Sequence, residues 1–352
     1  MVTDAKMRET DPARATNPAS ATNRLTTSRL RIARGFVAIA IATIALFALG
    51  GIIAPSSVSH SAIIGMVPFA AVLAIAGLGQ MLVVQQGGID LSVAGGISLA
   101  VVISTHEPDG DSGKLGGAVI MAVLFAIAAG LINGILVSRL RLNSIIATLG
   151  MNALLYGAVF AVSGGTPRST TPLLAAIAGG STIGIPNATF FAVGALIVVS
   201  VLTKKTVAGR RFEAIGANPA AARAVGLRVR VHQTLSFVWA QLLYCLAGIL
   251  LAGITNQPTA FQGDSLLLPS VAVVVLAGTS LLGGRGFPIS TVIAALFLRQ
   301  LQQFVLALGV DTSVQTLVQA IALAVGVALY SVNWASVRRR LFAHKPAEAI
   351  PA

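Results

Sequence analysis

Residues 36–54 read FVAIAIATIALFALGGIIA, a run without a single charge. At a rise of about 1.5 Å per residue it spans about 28 Å, close to the hydrocarbon thickness of a bilayer. A strand facing lipid on one side would alternate apolar and polar residues. This run is apolar on every side, as is FAVGALIVVSVL at 191–202, so both read as helices in lipid. Similar runs recur. They place candidate spans at about 35–54, 61–82, 89–105, 116–137, 144–163, 188–203, 233–253, 266–282, 287–308 and 313–333. The sequence thus predicts an all-α membrane protein with about ten transmembrane helices, several of them short or broken by glycine.

Composition agrees. Of 352 residues, 55% are hydrophobic and only 10% are charged, against roughly a quarter charged in soluble domains. Glycine is abundant at 36 residues, which suits helices whose backbones approach closely in lipid. Cys245 is the only cysteine, which excludes an intrachain disulfide and a cysteine metal cluster. The four histidines are scattered, so they predict no metal site. The net charge of +13 raises the question of nucleic acid, but the basic residues lie between and beyond the apolar runs. Loop topology explains them there, and no nucleic-acid partner is expected.

With the N-terminus placed in the cytoplasm, 21 of the 24 lysines and arginines fall in cytoplasmic segments. Lys114 and Arg168 fall outside, and Arg299 falls within a span. The external 106–114 loop instead carries Glu107, Asp109 and Asp111. This is the bias of the positive-inside rule, and shifting the frame by one span would destroy it. Both termini are therefore expected to be cytoplasmic. Residues 1–34 form a polar basic tail expected to be disordered, 35–333 the transmembrane domain, and 334–352 a second basic tail.

The cytoplasmic loop 204–232, KKTVAGRRFEAIGANPAAARAVGLRVRVH, is long and helix-forming, with Asn218-Pro219 as a helix start and Gly226 as a stop. Its small residues suit insertion into a groove on a partner protein; the alternative is a basic loop held at anionic lipid headgroups. At the edge of the third span, QQGGIDLS brings Gln85, Gln86, Asp90 and Ser92 together beside a double glycine that permits a bend. A carboxylate so near hydrocarbon marks a pathway or gate, or else Asp90 or Ser92 caps a helix start. FLRQLQQF at 297–304 puts Arg299 inside a span, with Gln303 one turn on and Gln302 beside it. That face either donates to a solute or makes an interspan or dimer hydrogen bond. Gly130 with Gly134, and Gly180 with Gly184, have small-xxx-small spacing, which packs helices or arises by chance in so glycine-rich a chain.

Within 204–232, the residues Glu213, Ala214, Gly216, Asn218, Ala221, Ala222 and Gly226 resemble the EAA-like coupling loop of ABC importer permeases of the ribose/galactose/xylose type. The resemblance continues in QQGGIDLSVAGGISLA at 85–100, SIIATLGMNALLYG at 144–157, LAGILLAGITNQPTAFQGDS at 246–265 and VAVVVLAGTSLLGGRG at 271–286. It covers about 60–333. It implies a multi-pass subunit of the plasma membrane, paired with a second permease chain and surrounded by lipid. Cytoplasmic ATPase subunits would dock through Glu213, Gly216, Asn218, Ala222 and Gly226, and an extracytoplasmic binding protein would deliver a monosaccharide or related polyol.

The chain itself would be no enzyme and bind no cofactor, ATP being used by the partners. Its one Gly-Lys pair, Gly113-Lys114, is followed by Leu115, so it lacks the phosphate-binding G-x-x-x-x-G-K-[ST] loop. Two departures bear on the solute. Relatives carry small and apolar residues around Arg299, and acidic residues before the eighth span, where Asp264 alone remains. Rival readings are a branched-chain amino-acid or nucleoside permease and, from another class, a gradient-driven secondary transporter.

Overall fold

The computed structural model describes residues 34–311 together with Ser313, Val314, Thr316, Leu317, Val318, Ala320, Ile321 and Ala324. The two tails, and the span expected at 313–333 apart from those positions, lie outside the described residues.

The helices are α1 (Arg34–Ile53), α2 (His60–Gln85), α3 (Val93–His106), α4 (Leu115–Ser138), α5 (Ser144–Ser163), α6 (Asn187–Lys205), α7 (Val207–Ala217), α8 (Pro219–Ala224), α9 (Val229–Thr255), α10 (Leu267–Leu276) and α11 (Pro288–Ala307). One small hairpin, β1 (Ser181–Thr182) with β2 (Ile185–Pro186), was not foreseen; Thr182 pairs with Ile185 across it. Local chemistry sets several boundaries. Ser59 accepts the Ala62 N–H to start α2, and Asn143 accepts the Ile145 N–H to start α5.

Seven of these helices are long and apolar enough to cross a membrane. Two of them, α2 and α9, form the centre, with most of their lengths buried against the rest. Helix α4 lies on α9 through Gly130 and Gly134: a Cβ on Gly130 would stand 2.6 Å from the Val238 Cα, and one on Gly134 2.7 Å from the Thr234 Cα. The first small-xxx-small pair therefore packs helices. Gly180 and Gly184 do not, since the first precedes the hairpin and the second lies in its turn, outside any long helix.

Counting the shorter α3 and α10, successive crossings alternate in direction, so one end of the bundle carries the segment 206–228; we call it the loop end. Arg139, Arg141, Lys204, Lys205, Arg210, Arg211, Arg223, Arg228, Arg230 and Arg285 lie there. The opposite end holds Lys114 and Arg168 with Glu107, Asp109 and Asp111, and Arg168 pairs with Asp109 at 3.0 Å.

The spans expected at 89–105 and 266–282 do not cross as whole helices. Helix α3 has 14 residues and α10 has 10, giving about 21 and 15 Å against a hydrocarbon core of about 30 Å. Each crossing is completed by irregular backbone, 86–92 before α3 and 277–287 after α10. From the opposite end, where the Asn256 carbonyl accepts the Thr170 N–H at 2.8 Å, the chain dips inward to a 3-10 turn, Gln262–Leu266, that leads into α10. There Gly263 lies against the start of α3: its N–H donates to Ser98 Oγ at 3.0 Å, and a Cβ would stand 2.2 Å from the Ala94 carbonyl. Two broken helices thus begin beside each other inside the bundle and run toward opposite ends.

Packing of this kind makes a direct prediction. Gly130→Val inserts volume against backbone and should lower the melting temperature of the purified protein by an amount equivalent to about 1–3 kcal/mol. Gly150→Ala, whose Cβ would meet nothing within 4 Å, should leave it unchanged or slightly raised. Equal melting temperatures would refute the α4–α9 contact.

Candidate functional site

The irregular stretch 86–92 carries Asp90 and Ser92 into the interior, where both are buried. Asp90 Oδ1 accepts the Ser92 N–H at 2.9 Å and the Ser92 hydroxyl, while Gln241 Nε2 of α9 reaches Asp90 Oδ2 at 3.5 Å. Ser92 Oγ accepts from Gln241 Nε2 at 2.7 Å and from Asn133 Nδ2 of α4 at 2.9 Å. Below them, the Gln80 amide of α2 serves the Asp90 main chain once its oxygen is turned to donors and its nitrogen to acceptors. The oxygen accepts the Asp90 N–H at 3.2 Å, and the nitrogen donates to the Asp90 carbonyl at 3.0 Å and the Tyr244 hydroxyl at 2.8 Å.

Helix α5 completes the cluster from the other side. Ser144 Oγ accepts the Ile89 N–H at 3.2 Å, Thr148 Oγ1 the Leu91 N–H at 2.9 Å, and Asn152 Oδ1 the Gly95 N–H at 2.8 Å. These residues are spaced four apart and so occupy one face of the helix. The capping alternative for Ser92 is corrected here. Ser92 is the first flanking residue of α3 but makes no side-chain bond to the helix; Asn152 of α5 caps it instead, at the Gly95 N–H. Asp90 takes the N–H just ahead of α3. Gln80, Asn133, Gln241, Tyr244 and the α5 stripe were not singled out from sequence, although the repeat Ser144-x-x-x-Thr148-x-x-x-Asn152 in an apolar span was a readable signal.

At the loop end, Gln85 and Gln86 join a second cluster. The Gln85 carbonyl accepts the Gly284 N–H at 3.0 Å, and a Cβ on Gly216 would stand 2.0 Å from that same carbonyl oxygen. Only glycine fits there. Gln86 Nε2 donates to the Phe212 carbonyl at 2.9 Å. Glu213 bridges Lys204 at 3.5 Å and Arg285 at 3.1 Å. The end of α2, helix α7 and the segment 283–286 are therefore tied at one node.

Beyond the node, Asn218 Oδ1 accepts the Ala220 and Ala221 N–H groups at 3.1 and 3.0 Å, so the loop forms two helices rather than one. Gly226, at φ +81°, ends α8 in the left-handed region. Ala222 is buried against Ile215 and Val229. Neither Ala222 nor the buried Gly216 thus lies on an outer face; the exposed alanines of the two helices are Ala208, Ala214, Ala217, Ala220, Ala221 and Ala224.

The third group stays apart in its bonding. Arg299 Nη1 of α11 donates to Gln302 Oε1 at 2.8 Å, so Arg299 is bonded to Gln302 and not to Gln303, one turn on. Gln300 is buried, its Nε2 close to Gly50 of α1.

Long apolar helices around two broken crossings, with polar side chains bonding the irregular backbone and a knob of small helices at one end, define a multi-pass membrane permease. The chain belongs to the family described as the permease component of branched-chain amino acid transport systems, whose model matches residues 36–327. It is 33% identical over 297 residues to the probable ABC transporter permease protein y4mJ of Sinorhizobium fredii, covering 83% of this chain and 87% of the relative. It is 31% identical over 294 residues to the ribose import permease protein RbsC of Escherichia coli K12, with 82% and 91% covered. It is 32% identical over 255 residues to the galactofuranose transporter permease protein YtfT of the same organism, with 72% and 74% covered. No solved structure matches the chain.

The interior cluster carries its own test. Gln241→Leu removes the donor shared by Asp90 and Ser92 and should destabilise the detergent-solubilised protein by about 1–3 kcal/mol, read as a lower melting temperature. Gln303→Leu, outside the cluster, should change it by less than about 0.5 kcal/mol.

Proposed function

We propose that this chain is the membrane-spanning subunit of an ATP-driven importer for a monosaccharide or related polyol, with both termini and the loop end in the cytoplasm. The charge distribution supports that orientation, since the loop end holds most of the described lysines and arginines. The solute class rests on relatives named for ribose and galactofuranose. On this reading cytoplasmic ATPase subunits bind and hydrolyse ATP, an extracytoplasmic binding protein delivers the solute, and a second permease chain completes the pathway within the lipid.

The observation that carries the proposal is the node at Gln85, Gly216 and Gly284. The exposed alanines of α7 and α8 offer a partner a small knob. A displacement of that knob moves α7, and α7 abuts the two segments that continue as the irregular halves of the broken crossings. Irregular backbone has no internal helical ladder to preserve, so those segments can change φ and ψ while the long helices stay intact. A binding event outside the membrane is thus joined by direct contact to the interior cluster around Asp90. Gly216 leaves no slack, and Glu213 holds α7 to Lys204 and Arg285 from two sides. The partner's two states must grip the knob differently for the motion to be driven.

Uptake and ATP hydrolysis measured together in proteoliposomes test the coupling. Coupling free energies of about 1–3 kcal/mol correspond to roughly 5–150-fold effects. Glu213→Ala should accordingly lower solute moved per ATP hydrolysed by roughly tenfold, and Gly226→Trp, which forces a bulky side chain into the left-handed backbone region, should do the same. Intact coupling in both variants would sink the docking assignment. Uptake that ignores ATP and follows a proton gradient would favour the secondary transporter.

A further inference from the structure

The 3-10 turn Gln262–Leu266 bears an exposed carboxylate, Asp264, at a depth where lipid would not accept one. Its depth is fixed twice. The neighbouring Gly263 is bonded to Ser98, eight residues and therefore about 12 Å below the outer end of α3. The Tyr156 hydroxyl donates to Asp264 Oδ1, and Tyr156 lies seven residues, about 10.5 Å, below the end of α5. Asp264 and the adjacent Ser265 are nevertheless exposed. A charged or polar side chain exposed at this depth faces water or protein, not acyl chains. Tyr156 belongs to a cluster of three aromatic rings. Phe261 meets Tyr156 edge-on at 5.1 Å and Phe160 at 5.0 Å between ring centroids, and Phe160 is itself exposed.

The geometry points to this patch, Asp264 with Tyr156, Phe261 and Phe160, as a solute-contact site on the aqueous pathway, and to an uncharged polyhydroxylated solute as its ligand. The carboxylate accepts hydroxyl protons, and charge-assisted bonds of this kind are the strong ones. Aromatic rings offer a flat apolar surface to the C–H face of a sugar ring. The patch is carried by the re-entrant stretch that abuts the start of α3, the helix that the Asp90 cluster leads into. This deepens the proposed importer function and rests on it for the solute class.

Cysteine chemistry tests it on the full chain assembled with its partners. Cys245 is the only cysteine and is buried, so Cys245→Ser gives a silent background. Asp264→Cys and, in case that variant does not fold, Ser265→Cys are treated with a membrane-impermeant methanethiosulfonate. Ile197→Cys serves as the lipid-facing control, since that residue is exposed in the middle of an apolar helix. A hydrated thiol ionises and reacts, so labelling at 264 or 265 should be at least on the order of tenfold faster than at 197. The member of a D-ribose, D-xylose and D-galactose panel that the unsubstituted importer takes up should slow this labelling. Asp264→Ala and Phe261→Ala should raise its KM by on the order of tenfold.

Labelling at both positions no faster than at 197 would overturn the site. Labelling that the transported sugar never slows, with an unchanged KM in both alanine variants, would overturn the solute contact. Uptake by the unsubstituted protein without ATP would instead overturn the importer reading and leave the labelling result standing.

Discussion

A backbone polar group inside a bilayer must find a partner within the protein, because no water is there to serve it. Every unusual feature of this chain answers that requirement. Helices meet it internally, but 86–92 and 277–287 are not helical, and their amides and carbonyls need side chains or other backbone. Gln80 meets the Asp90 peptide on both its N–H and its C=O. Ser144 and Thr148 take the N–H groups of Ile89 and Leu91, and Asn152 takes that of Gly95 in the first turn of α3. The second irregular stretch is tied through Gly284 to the Gln85 carbonyl. Buried polar residues in α2, α4, α5 and α9 are thus the supports of the first helix break, and backbone supports the second.

The breaks matter because they are where a tightly packed bundle can give. Packed cores resist continuous deformation, and α2 and α9 are buried over most of their lengths. An irregular strand held by side-chain hydrogen bonds can exchange one set of partners for another without breaking a helix. Both irregular segments reach the loop end at the same node, against the same helix α7. On the proposed importer reading a push there would reach both crossings at once, and the interior starts of α3 and of the turn before α10 touch through Gly263. On that reading the loop end is a lever joined to a pair of half-helices in the middle.

Much of this was legible in the sequence. Apolar run length fixed nine of the ten expected spans to helices or broken helices, because bilayer thickness and helix rise leave little choice. Asn218-Pro219 and Gly226 bounded α8 by local backbone chemistry that needs no tertiary context. The double glycine at 87–88 marked a break, and Gly87 does adopt φ +80°. Less legible was the sorting of roles within the loop. Gly216 and Ala222 share small size with Ala221, but burial sends the first two inward and leaves the third exposed. Size is a local property, whereas direction depends on what packs above. Arg299 was likewise read with Gln303 and is bonded to Gln302, since rotamer choice and neighbours decide between positions three and four residues on.

The sequence by itself determined that the chain spans a membrane repeatedly, which way its charge is distributed, and where several of its helices are capped. These follow from hydropathy, loop charge and capping, all of them short-range. Only the tertiary structure decided that 86–92 and 277–287 cross as irregular backbone, that Asn133 and Gln241 converge on Ser92, and that Asp264 stands exposed deep between the ends of the helices. Those facts depend on residues far apart in the chain meeting at one depth, and no local pattern encodes depth. The same carboxylate would be an ordinary surface residue if the stretch after α9 stayed outside instead of folding back against Ala94.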